Sequence, residues 1–423
     1  MQYKEIVKTF IGDELNEYKP TKKVIKRFIF FMKDVYDPRK AGMISYPLSE
    51  ILVIAFLSVL AGFSEWQDIE LFGNAKKKWL KKFLVLEYGI PSHDTFRRVF
   101  AMIDPVQFGN ATVTFLIDNL ESIRKTLKLS LEGPRQICVD GKEEKGTGRK
   151  YGTDQKVPNL QILNIYDSSL GVFLYSKSID NKTNEIPVAQ EVLANMQLKG
   201  CVVTFDSMNT QKDTISVITS KGGDYVAALK GNHPTLHEEL KLFFSEDYRK
   251  SIANNKTNFY SVKEKAHNQI ETRNIYLSTN IKWFEDKHLW SKLKSFICYE
   301  TKTEHLVTHE ITTEIRYYLS SLKDAELCAD SIRGHWSIES NHWLLDVVME
   351  EDDLTTMDKN AFNNLAILNK FVLTLYKLVQ PLIKCSIRSV RKLFGLSFED
   401  HLAKLLSVLD EDFLENAMQN VKK

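Results

Sequence analysis

A short apolar run, Gln136-Ile137-Cys138-Val139-Asp140-Gly141-Lys142, carries an aspartate directly after three apolar residues. Two of those three residues are β-branched, which predicts a short buried strand. Asp140 ends this predicted strand, and Gly141 allows the backbone to turn away at once. Open α/β sheets bind their ligands at the carboxyl ends of such strands, so Asp140 is a candidate ligand-binding residue. An isolated aspartate at this place is also consistent with a simple turn former.

The same pattern recurs at Cys201-Val202-Val203-Thr204-Phe205-Asp206-Ser207, a second apolar run that ends in aspartate. If the two strands lie side by side and run parallel, their carboxylates meet at one edge of the sheet. Two carboxylates in that position would hold a hard divalent cation. The recurrence therefore favours a metal-binding centre over two unrelated turns.

The composition is that of a globular protein with more than one domain. The chain has 423 residues, of which 43% are hydrophobic, and two or three domains are expected at this length. The net charge is only +2, so binding to nucleic acid requires local basic patches. The five cysteines are widely scattered without a Cys-x-x-Cys pair, which argues against a thiolate zinc site and a disulfide framework. The longest apolar run, Ile51 to Phe63, is shorter than the roughly 20 residues of a membrane span, and no signal-peptide pattern precedes it. We therefore expect a reducing, cytoplasmic location and no membrane partner.

Residues 1–133 are predicted to form a helical domain that binds DNA, with its boundary at Glu132-Gly133-Pro134. Within it, several lysines alternate with aromatic residues; this lysine run consists of Lys76, Lys77, Lys78, Lys81 and Lys82. Such a run can bind the phosphate backbone, although a solvated helix face has the same composition. Ser92 can cap a following helix that carries Arg97 and Arg98, an arrangement that suits an element docked on DNA.

Residues 134–244 are predicted to form the first part of an α/β catalytic core. Three strands, a helix, a strand, a helix and a strand follow one another, which is the order of a mixed sheet of ribonuclease H-like type. Residues 141–158 are rich in glycine and lysine and are expected to form a mobile loop beside Asp140. Residues 245–320 are interpreted as a β-rich insertion, because β-like patterns resume at about Ile270.

Residues 321–380 are predicted to return to helix, and residues 381–423 to form a helical tail. His335, Glu339, His342 and Asp346 are spaced i, i+4, i+7 and i+11, so they share one face of the predicted helix. Bulky apolar residues flank this polar stripe on both sides, which leaves little room for an ordinary solvent-facing surface. The stripe is therefore a candidate part of a functional site.

Four motifs together resemble the DDE transposases of the H-repeat-associated (ISAs-type) insertion sequences. They are Asp140-Gly-Lys, Thr204-Phe-Asp206-Ser-Met-Asn-Thr-Gln211, Ala228-Leu-Lys230-Gly-Asn and Arg333-Gly-His-Trp-x-Ile-Glu339. The similarity runs from about Phe28 to Leu378 and includes the helical N-terminal region. It implies a ribonuclease H-like core with the catalytic triad Asp140, Asp206 and Glu339, separated by 66 (206−140) and 133 (339−206) positions.

The resemblance implies a transposase that binds insertion-sequence ends and catalyses metal-dependent DNA cleavage and strand transfer. Two Mg²⁺ or Mn²⁺ ions are expected, with Asp140 bridging both, Asp206 holding one and Glu339 the other. Hard oxygen ligands and a pair of ions suit phosphodiester chemistry on general grounds. The implied partners are double-stranded DNA, at the element ends and the target, and a second copy of the chain in a homodimer on DNA. The implied location is the bacterial nucleoid.

Lys142, Lys230 and Arg333 are candidate DNA-binding residues near the predicted triad. The two lysines could hold phosphates as point charges, or they could be ordinary surface lysines near turns. The wider superfamily often places Tyr, Arg and Lys at set offsets from its glutamate, and Ile332, His335 and Asp346 stand at those offsets here. Arg333 could supply the phosphate contact from a neighbouring position.

Three alternatives remain open from the sequence. Asp346 and Glu350 could join or tune the metal site, or they could lie on the helix surface. The protein could be a domesticated or inactive relative that recognises DNA without transposing. A zinc hydrolase built on His335, Glu339 and His342 is the third alternative, but it gives Asp140 and Asp206 no role.

Overall fold

The described part of the chain covers nearly all of the predicted core. The computed structural model describes residues 26, 29–33, 35–127, 129, 133–151, 155–157, 159–179, 185–266, 268–354, 356 and 358–420. Predictions that concern residues 1–25 and 421–423 lie outside this part.

Helices fill the described chain before the first strand, in agreement with its helical periodicity. The Ser92 hydroxyl accepts a hydrogen bond from the Thr95 amide and caps one helix, as predicted. Asp104 caps the next helix through its carboxylate, and Pro105 takes the first helical position, where no amide hydrogen is needed. These helices are α1 (Leu48–Leu60), α2 (Trp66–Ala75), α3 (Lys77–Leu80), α4 (His93–Met102) and α5 (Pro105–Thr126).

The strands of the described chain begin at Arg135. They are β1 (Arg135–Glu144), β2 (Arg149–Tyr151), β3 (Gln155–Val157), β4 (Leu160–Asp167), β5 (Val172–Ile179), β6 (Cys201–Phe205), β7 (Asp224–Leu229), β8 (Phe259–Ala266), β9 (Gln269–Ser278), β10 (Ser295–His305) and β11 (Ile311–Ser320). Nine of them form one mixed sheet in the order β5-β4-β1-β6-β7-β11-β10-β9-β8, and β2 pairs with β3 in a small hairpin. Within the large sheet β1, β6 and β7 are parallel, and the other neighbours are antiparallel.

The remaining helices connect and cover these strands. They are α6 (Glu185–Ala194), α7 (Lys212–Ser220), α8 (Pro234–Phe243), α9 (Glu246–Ala253), α10 (Ala325–Val347), α11 (Lys359–Ile383), α12 (Ile387–Leu396), α13 (Phe398–Val408) and α14 (Glu411–Asn420). Short 3₁₀ turns occur at Lys145–Thr147 and Glu351–Asp353, among other places. The fold is therefore a mixed α/β architecture with a large mixed sheet and many helices.

Strand β1 does not end at Asp140, which corrects the sequence prediction. Its parallel pairing with β6 stops at Val139 opposite Phe205, but its antiparallel pairing with β4 continues to Glu144 opposite Leu160. The expected mobile loop is wrong for the described residues between 141 and 151, which complete β1, form the Lys145–Thr147 turn and begin β2. Residues 152–154 and 158 lie outside the described part.

Alternation along β1 separates an apolar face from a charged one. Ile137 and Val139 pack in one core cluster with α6 and α7, whereas Cys138 belongs to the core on the opposite face. Asp140 and Lys142 share the Cys138 face, which α10 covers; the Cys138 sulfur lies 3.5 Å from the Gly334 carbonyl of that helix. The sheet therefore presents its charged side chains to the predicted functional helix.

The strands between 245 and 320 extend the central sheet instead of forming a separate one. Strand β11 pairs with β7, with Tyr317 opposite Leu229, and β10, β9 and β8 follow outward. Strand β8 was not predicted, because only three of its eight residues, Phe259, Tyr260 and Val262, are large hydrophobics. The domain boundaries proposed from the sequence stay predictions.

Helix α11 is the only helix in the described part that is long and apolar enough to cross a membrane. In the most apolar 18-residue stretch of this helix, 78% is buried inside the protein. Its side chains share a hydrophobic core with α1, α4 and α5, so its apolar composition is explained by packing. All five cysteines are free, as the scattered spacing predicted.

Candidate active site

Asp140 lies at the point where β1 loses its parallel neighbour. Its Oδ2 is 3.4 Å from Nδ1 of His342, a buried residue of α10. The other ring nitrogen, Nε2, is 3.0 Å from the Asn164 amide nitrogen, and Asn164 stands opposite Asp140 on β4. The Asn164 amide nitrogen donates to Nε2, and Nδ1 faces the Asp140 carboxylate. The side chain of Asp140 is thus held from a strand and from a helix.

Asp206 follows β6 directly and is fixed by the turn that it begins. Its Oδ1 accepts hydrogen bonds from the Asn209 backbone amide at 3.1 Å and from the Asn209 side chain at 3.3 Å. The Asn209 amide also donates to the buried Glu185 carboxylate at 2.8 Å. These bonds explain why a turn rich in small polar residues follows the strand.

Glu185 also approaches the residue after Asp140. A Cβ atom built on Gly141 would lie 2.6 Å from Oε2 of Glu185, so only glycine allows this approach without displacing the carboxylate. Gly141 was predicted to permit a turn, but its observed role is to make room for Glu185 while β1 continues. Glu185 therefore contacts the segments that carry both aspartates, a connection that the sequence did not indicate.

Glu339 lies on α10 and lines one cleft together with Asp206 and His335. The side chain is exposed, and it makes no hydrogen bond or ion pair with any residue that the structure describes. His335 donates or accepts a hydrogen bond at 3.0 Å between its Nδ1 and the Thr204 hydroxyl. The predicted shared face of the helix is confirmed, because His335, Glu339 and His342 all face the sheet edge that carries the two aspartates.

All three predicted acids lie near enough to His335 for their charges to act on its pKa. Burial lowers the pKa of His335, while the negative charges of Asp140, Glu339 and Asp206 act in the opposite direction. Burial is the larger effect, so the imidazole is neutral at neutral pH. Three carboxylates around a neutral ring leave an excess of negative charge. Oxygen donors with excess negative charge are the environment that Mg²⁺ and Mn²⁺ prefer.

The ligand atoms of the three predicted acids are not gathered as closely as a bound ion requires. Within the described chain, one group of acidic side chains has its ligand atoms within 4.8 Å of one another, and it consists of Glu144, Asp346 and Glu351. Asp140, Asp206 and Glu339 do not form such a group in this structure. Of the three acids, Glu339 is the one whose side chain is exposed.

Lys142 lies apart from the cleft, at the centre of the Glu144, Asp346 and Glu351 group. Its ammonium is 2.7, 2.6 and 2.7 Å from the three carboxylates, respectively. Lys370 adds a second ammonium, 3.7 Å from Glu351. We call these five residues the Lys142 cluster. A buried ammonium whose three donors face carboxylates is not placed to contact a phosphate, so this arrangement does not favour the predicted DNA contact of Lys142.

Burial sets the protonation of the Lys142 cluster. The pKa of Glu144 is raised to about 8 by burial and by the nearby charge of Glu351. Burial also raises the pKa of Asp346. Burial acts in the same direction on Glu351, but Lys142 and Lys370 outweigh it and lower the pKa of that residue. Two ammonium groups face three carboxylates, so retaining one proton makes the cluster neutral.

The cations around the cleft include one that the sequence did not single out. Lys230 is exposed and lines the cleft, and Arg333 is exposed on α10 and pairs with Glu264 at 3.2 Å. Arg316, on β11, also lines the cleft; its guanidinium lies 5.3 Å from the Trp336 ring centre, and Arg333 lies 5.9 Å from the same ring. Pairing of β11 with β7, which brings Arg316 here, has no local sequence signal.

The basic residues of the N-terminal helices do not line the cleft. In the lysine run, Lys78, Lys81 and Lys82 are exposed, Lys77 is half-buried, and Lys76 pairs with Glu399 at 3.3 Å.

Arg97 and Arg98 are both exposed on α4, and Arg97 pairs with Asp94 at 3.1 Å. Their predicted contact with DNA stays a prediction.

The histidines of α10 are engaged by the protein. His335 bonds to Thr204, and His342 is held between Asp140 and Asn164. In the described chain they form no close group of metal ligands with Glu339. The arrangement therefore gives no support to a zinc hydrolase.

Asp140 and Asp206 directly follow the last residues of β1 and β6 that pair in parallel, and α10, which carries Glu339, covers this face; the class is an α/β protein with an acidic cleft. Comparison of this chain with known proteins identifies its family. Residues 131–375 match the model of the transposase DDE domain, and residues 29–116 match the DDE_Tnp_1-associated family. The chain belongs to the DDE transposase family, among the H-repeat-associated members.

Two relatives illustrate the extent of the similarity. The protein YncI of Escherichia coli O157:H7, which carries the name of a transposase, is 31% identical over 384 residues, covering 88% of this chain and 93% of its own length. The H repeat-associated putative transposase YhhI of Escherichia coli (strain K12) is 30% identical over 343 residues, covering 80% of this chain and 86% of its own length. A structure of the piggyBac transposase synaptic complex with hairpin DNA matches over 98% of this chain and 83% of its own chain, with 10% sequence identity and a TM-score of 0.34.

Proposed function

We propose that the protein is an active DNA transposase that binds insertion-sequence ends, cleaves DNA strands and joins them to a target. The observation that carries this proposal is that Asp206 and Glu339 line one cleft and that β1, which carries Asp140, runs parallel beside β6, in a chain of the DDE transposase family. Asp140, Asp206 and Glu339 are proposed as the catalytic and metal-binding residues.

The strand order supports a ribonuclease H-like core. Strands β5-β4-β1-β6-β7 form five neighbours of the sheet, with β1, β6 and β7 parallel and β4 and β5 antiparallel to their neighbours. We propose that these five strands, together with α6, α7 and α10, are the catalytic core. The acids then lie at the carboxyl side of the parallel strands, where α/β sheets bind ligands.

Two Mg²⁺ or Mn²⁺ ions, when bound, would supply activation of the attacking oxygen and stabilisation of the leaving 3′-oxygen. Asp140 and Asp206 fit that task because each is oriented by a fixed neighbour, His342 and Asn209 respectively. Glu339, on α10, lines the same cleft as Asp206. His335, held neutral by burial, adds no positive charge that would repel a cation.

The cations near the cleft supply the DNA-binding part of the proposal. We propose that Lys230 and Arg316, which line the cleft, and Arg333, which lies 5.9 Å from the Trp336 ring centre, hold phosphates next to the scissile bond. Arg is suited to bidentate contact with phosphate, and Trp336 keeps both guanidinium groups aligned by cation–π contact. The lysine run, Arg97 and Arg98 are proposed to bind flanking DNA. We further propose a homodimer on DNA, located in the bacterial nucleoid.

A cleavage assay on supercoiled plasmid tests this function. The plasmid carries the coding region with its natural flanking DNA, and the protein is added with Mg²⁺ or with EDTA. We expect Mg²⁺-dependent nicks at the two ends of the element and joined products that sequencing detects. Protein that shifts the same DNA in a gel but leaves it uncut in both Mg²⁺ and Mn²⁺ would support the inactive DNA-binding relative instead.

A further inference from the structure

We propose that two paired contacts between β1 and α10 set the position of Glu339 relative to Asp140. One contact joins Asp140 to His342, with 3.4 Å between Oδ2 and Nδ1, and the other joins Lys142 to Asp346, with 2.6 Å between Nζ and Oδ1. The inference rests on the proposed function, because it assigns roles around the proposed catalytic acids. His342, Lys142 and Asp346 are positioning residues in it, since they act through Asp140 and Glu339.

The spacing of the two contacts matches on the strand and on the helix. Asp140 and Lys142 are two residues apart and therefore point to the same face of β1, separated by about 6.6–6.8 Å. His342 and Asp346 are four residues apart on one face of α10, which corresponds to a rise of about 6.0 Å. The agreement allows both contacts to form at once when the helix runs along the strand.

This match fixes the register of α10 on β1. A shift of the helix by one residue would move every side chain by about 1.5 Å along the axis and about 100° around it. Both contacts would then be lost together. Glu339 lies three residues before His342, so its distance from Asp140 follows from the register that the contacts select.

The contact of Lys142 with Asp346 is anchored by two further carboxylates. Glu144 extends from the same face of β1, two residues beyond Lys142, and Glu351 lies in the 3₁₀ turn after α10. Both carboxylates are buried and lie 2.7 Å from the Lys142 ammonium. The ammonium can move neither along the strand nor toward solvent without leaving buried carboxylates unpaired, which is costly.

The contact of His342 with Asp140 is anchored in a similar way. Asn164 holds Nε2, and the ring of Phe173 stacks on the imidazole with 6.4 Å between ring centres and 18° between planes. Both residues belong to the strand pair β4 and β5, which is hydrogen-bonded to β1 through β4. The ring is therefore oriented by the sheet, and it transmits that orientation to the Asp140 carboxylate.

A purely stabilising role is the competing explanation. Apolar side chains of similar volume fill buried space at least as well as ion pairs and often stabilise more. Apolar contacts, however, tolerate sliding, whereas charged contacts of defined geometry select one register. The two explanations differ for variants that remain folded: a positioning role predicts weaker metal binding, and a purely stabilising role predicts unchanged metal binding.

Asp346→Asn is the variant that tests the second contact without breaking the cluster. It leaves Lys142 and Lys370 facing Glu144 and Glu351, so the buried charges balance, and Asp346 itself is partly exposed. The matched control is Asp352→Asn, the same chemical change at a neighbouring carboxylate that pairs with Lys145 at 3.8 Å.

His342→Phe and His342→Asn test the first contact. The phenylalanine keeps the stacking on Phe173 but removes both nitrogens. The asparagine places an amide nitrogen near the position of Nδ1 and keeps a donor toward Asp140. Recovery by asparagine and loss with phenylalanine would separate the contact from simple packing.

The experiment measures Mn²⁺ binding by electron paramagnetic resonance of the free ion, together with thermal unfolding in EDTA. We expect Asp346→Asn and His342→Phe to weaken Mn²⁺ binding by about 10- to 100-fold, the usual effect of removing a partner of a metal ligand. Their unfolding temperatures should stay close to that of the unmodified protein, and His342→Asn and Asp352→Asn should bind Mn²⁺ nearly normally.

The outcomes separate the inference from the proposed function. If the unmodified protein binds Mn²⁺ and all four variants bind it equally well, the positioning inference is wrong and the function stands. If binding falls only in proportion to lost thermal stability, the contacts are merely structural and the inference is also wrong. If the unmodified protein binds no Mn²⁺, the proposed function fails first and this inference fails with it.

Discussion

Replacing Glu339 by glutamine should abolish DNA cleavage while leaving the fold intact. The side chain is exposed and makes no hydrogen bond or ion pair within the described residues, so the isosteric amide removes no structural contact. Exposed substitutions of this kind change the free energy of unfolding by about 0.5 kcal/mol or less. The substitution therefore isolates the negative charge of the carboxylate.

The expected loss of activity follows from the role of that charge. Removing one group that stabilises charge in a transition state costs about 2.7–4 kcal/mol, or roughly 10²–10³ in rate. Losing a carboxylate that ligates a catalytic ion should raise the activation free energy by at least that much. This increase is more than five times the expected change in the free energy of unfolding. The cleavage rate should thus fall by at least two orders of magnitude with an unchanged unfolding transition.

The assay compares cleavage of the same plasmid by the unmodified protein and two variants at saturating Mg²⁺. The control is Glu326→Gln, the same substitution at an exposed position of α10. It lies 13 residues earlier (339−326), or about 20 Å along the helix axis. DNA binding in EDTA and thermal unfolding are measured on all three proteins. A Glu339→Gln protein that cleaves within threefold of the unmodified protein would refute the assignment of Glu339 as the third acid.

Three further predictions concern metal, DNA and pH. Mg²⁺ or Mn²⁺ should support cleavage and EDTA should abolish it, and full activity with zinc alone or without metal would contradict the oxygen-ligand site. Glutamine at the exposed lysines of the lysine run, Lys78, Lys81 and Lys82, should reduce the salt dependence of DNA binding by about 0.9 per lost phosphate contact. An unchanged slope would show that the run is a solvated face. The pKa of Glu144 is raised from 4.5 to about 8 in the folded protein, so this residue stabilises the fold fully below pH 4.5, and that contribution is lost as pH rises through about 8. Denaturant titrations between pH 5 and 9 should show this decline in the unmodified protein and a flatter profile in Glu144→Gln.

The site was largely predictable because its signals are local. Each aspartate follows an apolar run, and the polar face of α10 has helical spacing within one segment. The structure confirms that these segments meet: His342 contacts Asp140, and Asp206 and Glu339 line the same cleft. Parallel pairing of β1 with β6 entered the prediction only as a condition, because β2 to β5 separate the two strands in the sequence.

The charged end of β1 was missed because its signal is not local. Gly141, Lys142 and Glu144 have the composition of a loop, yet they form a strand because β4 continues to pair with them. Their charges are buried only because Asp346 and Glu351, about 200 positions later, supply the opposite partners. Tertiary pairing of this kind overrides local propensity, and a single sequence does not display it.

The extension of the sheet beyond β7 was missed for a related reason. Residues 245–320 were predicted to form a β-rich insertion, but the direct pairing of β11 with β7 was not predicted. This pairing brings Arg316 to the cleft beside Trp336. Neither the pairing of β11 with β7 nor the position of Arg316 follows from the alternation of apolar and polar residues along β11. That alternation indicates which face of the sheet a side chain occupies, but not which strand lies next to β11.

The most direct test of the proposed metal centre is a crystal structure with Mn²⁺ and anomalous diffraction data. The proposal predicts anomalous density between the carboxylates of Asp140 and Asp206, with Glu339 turned toward it when DNA is bound. Mn²⁺ found only in the Lys142 cluster, in place of the Lys142 ammonium, would contradict it, and so would an active protein–DNA complex without an ion between the two aspartates.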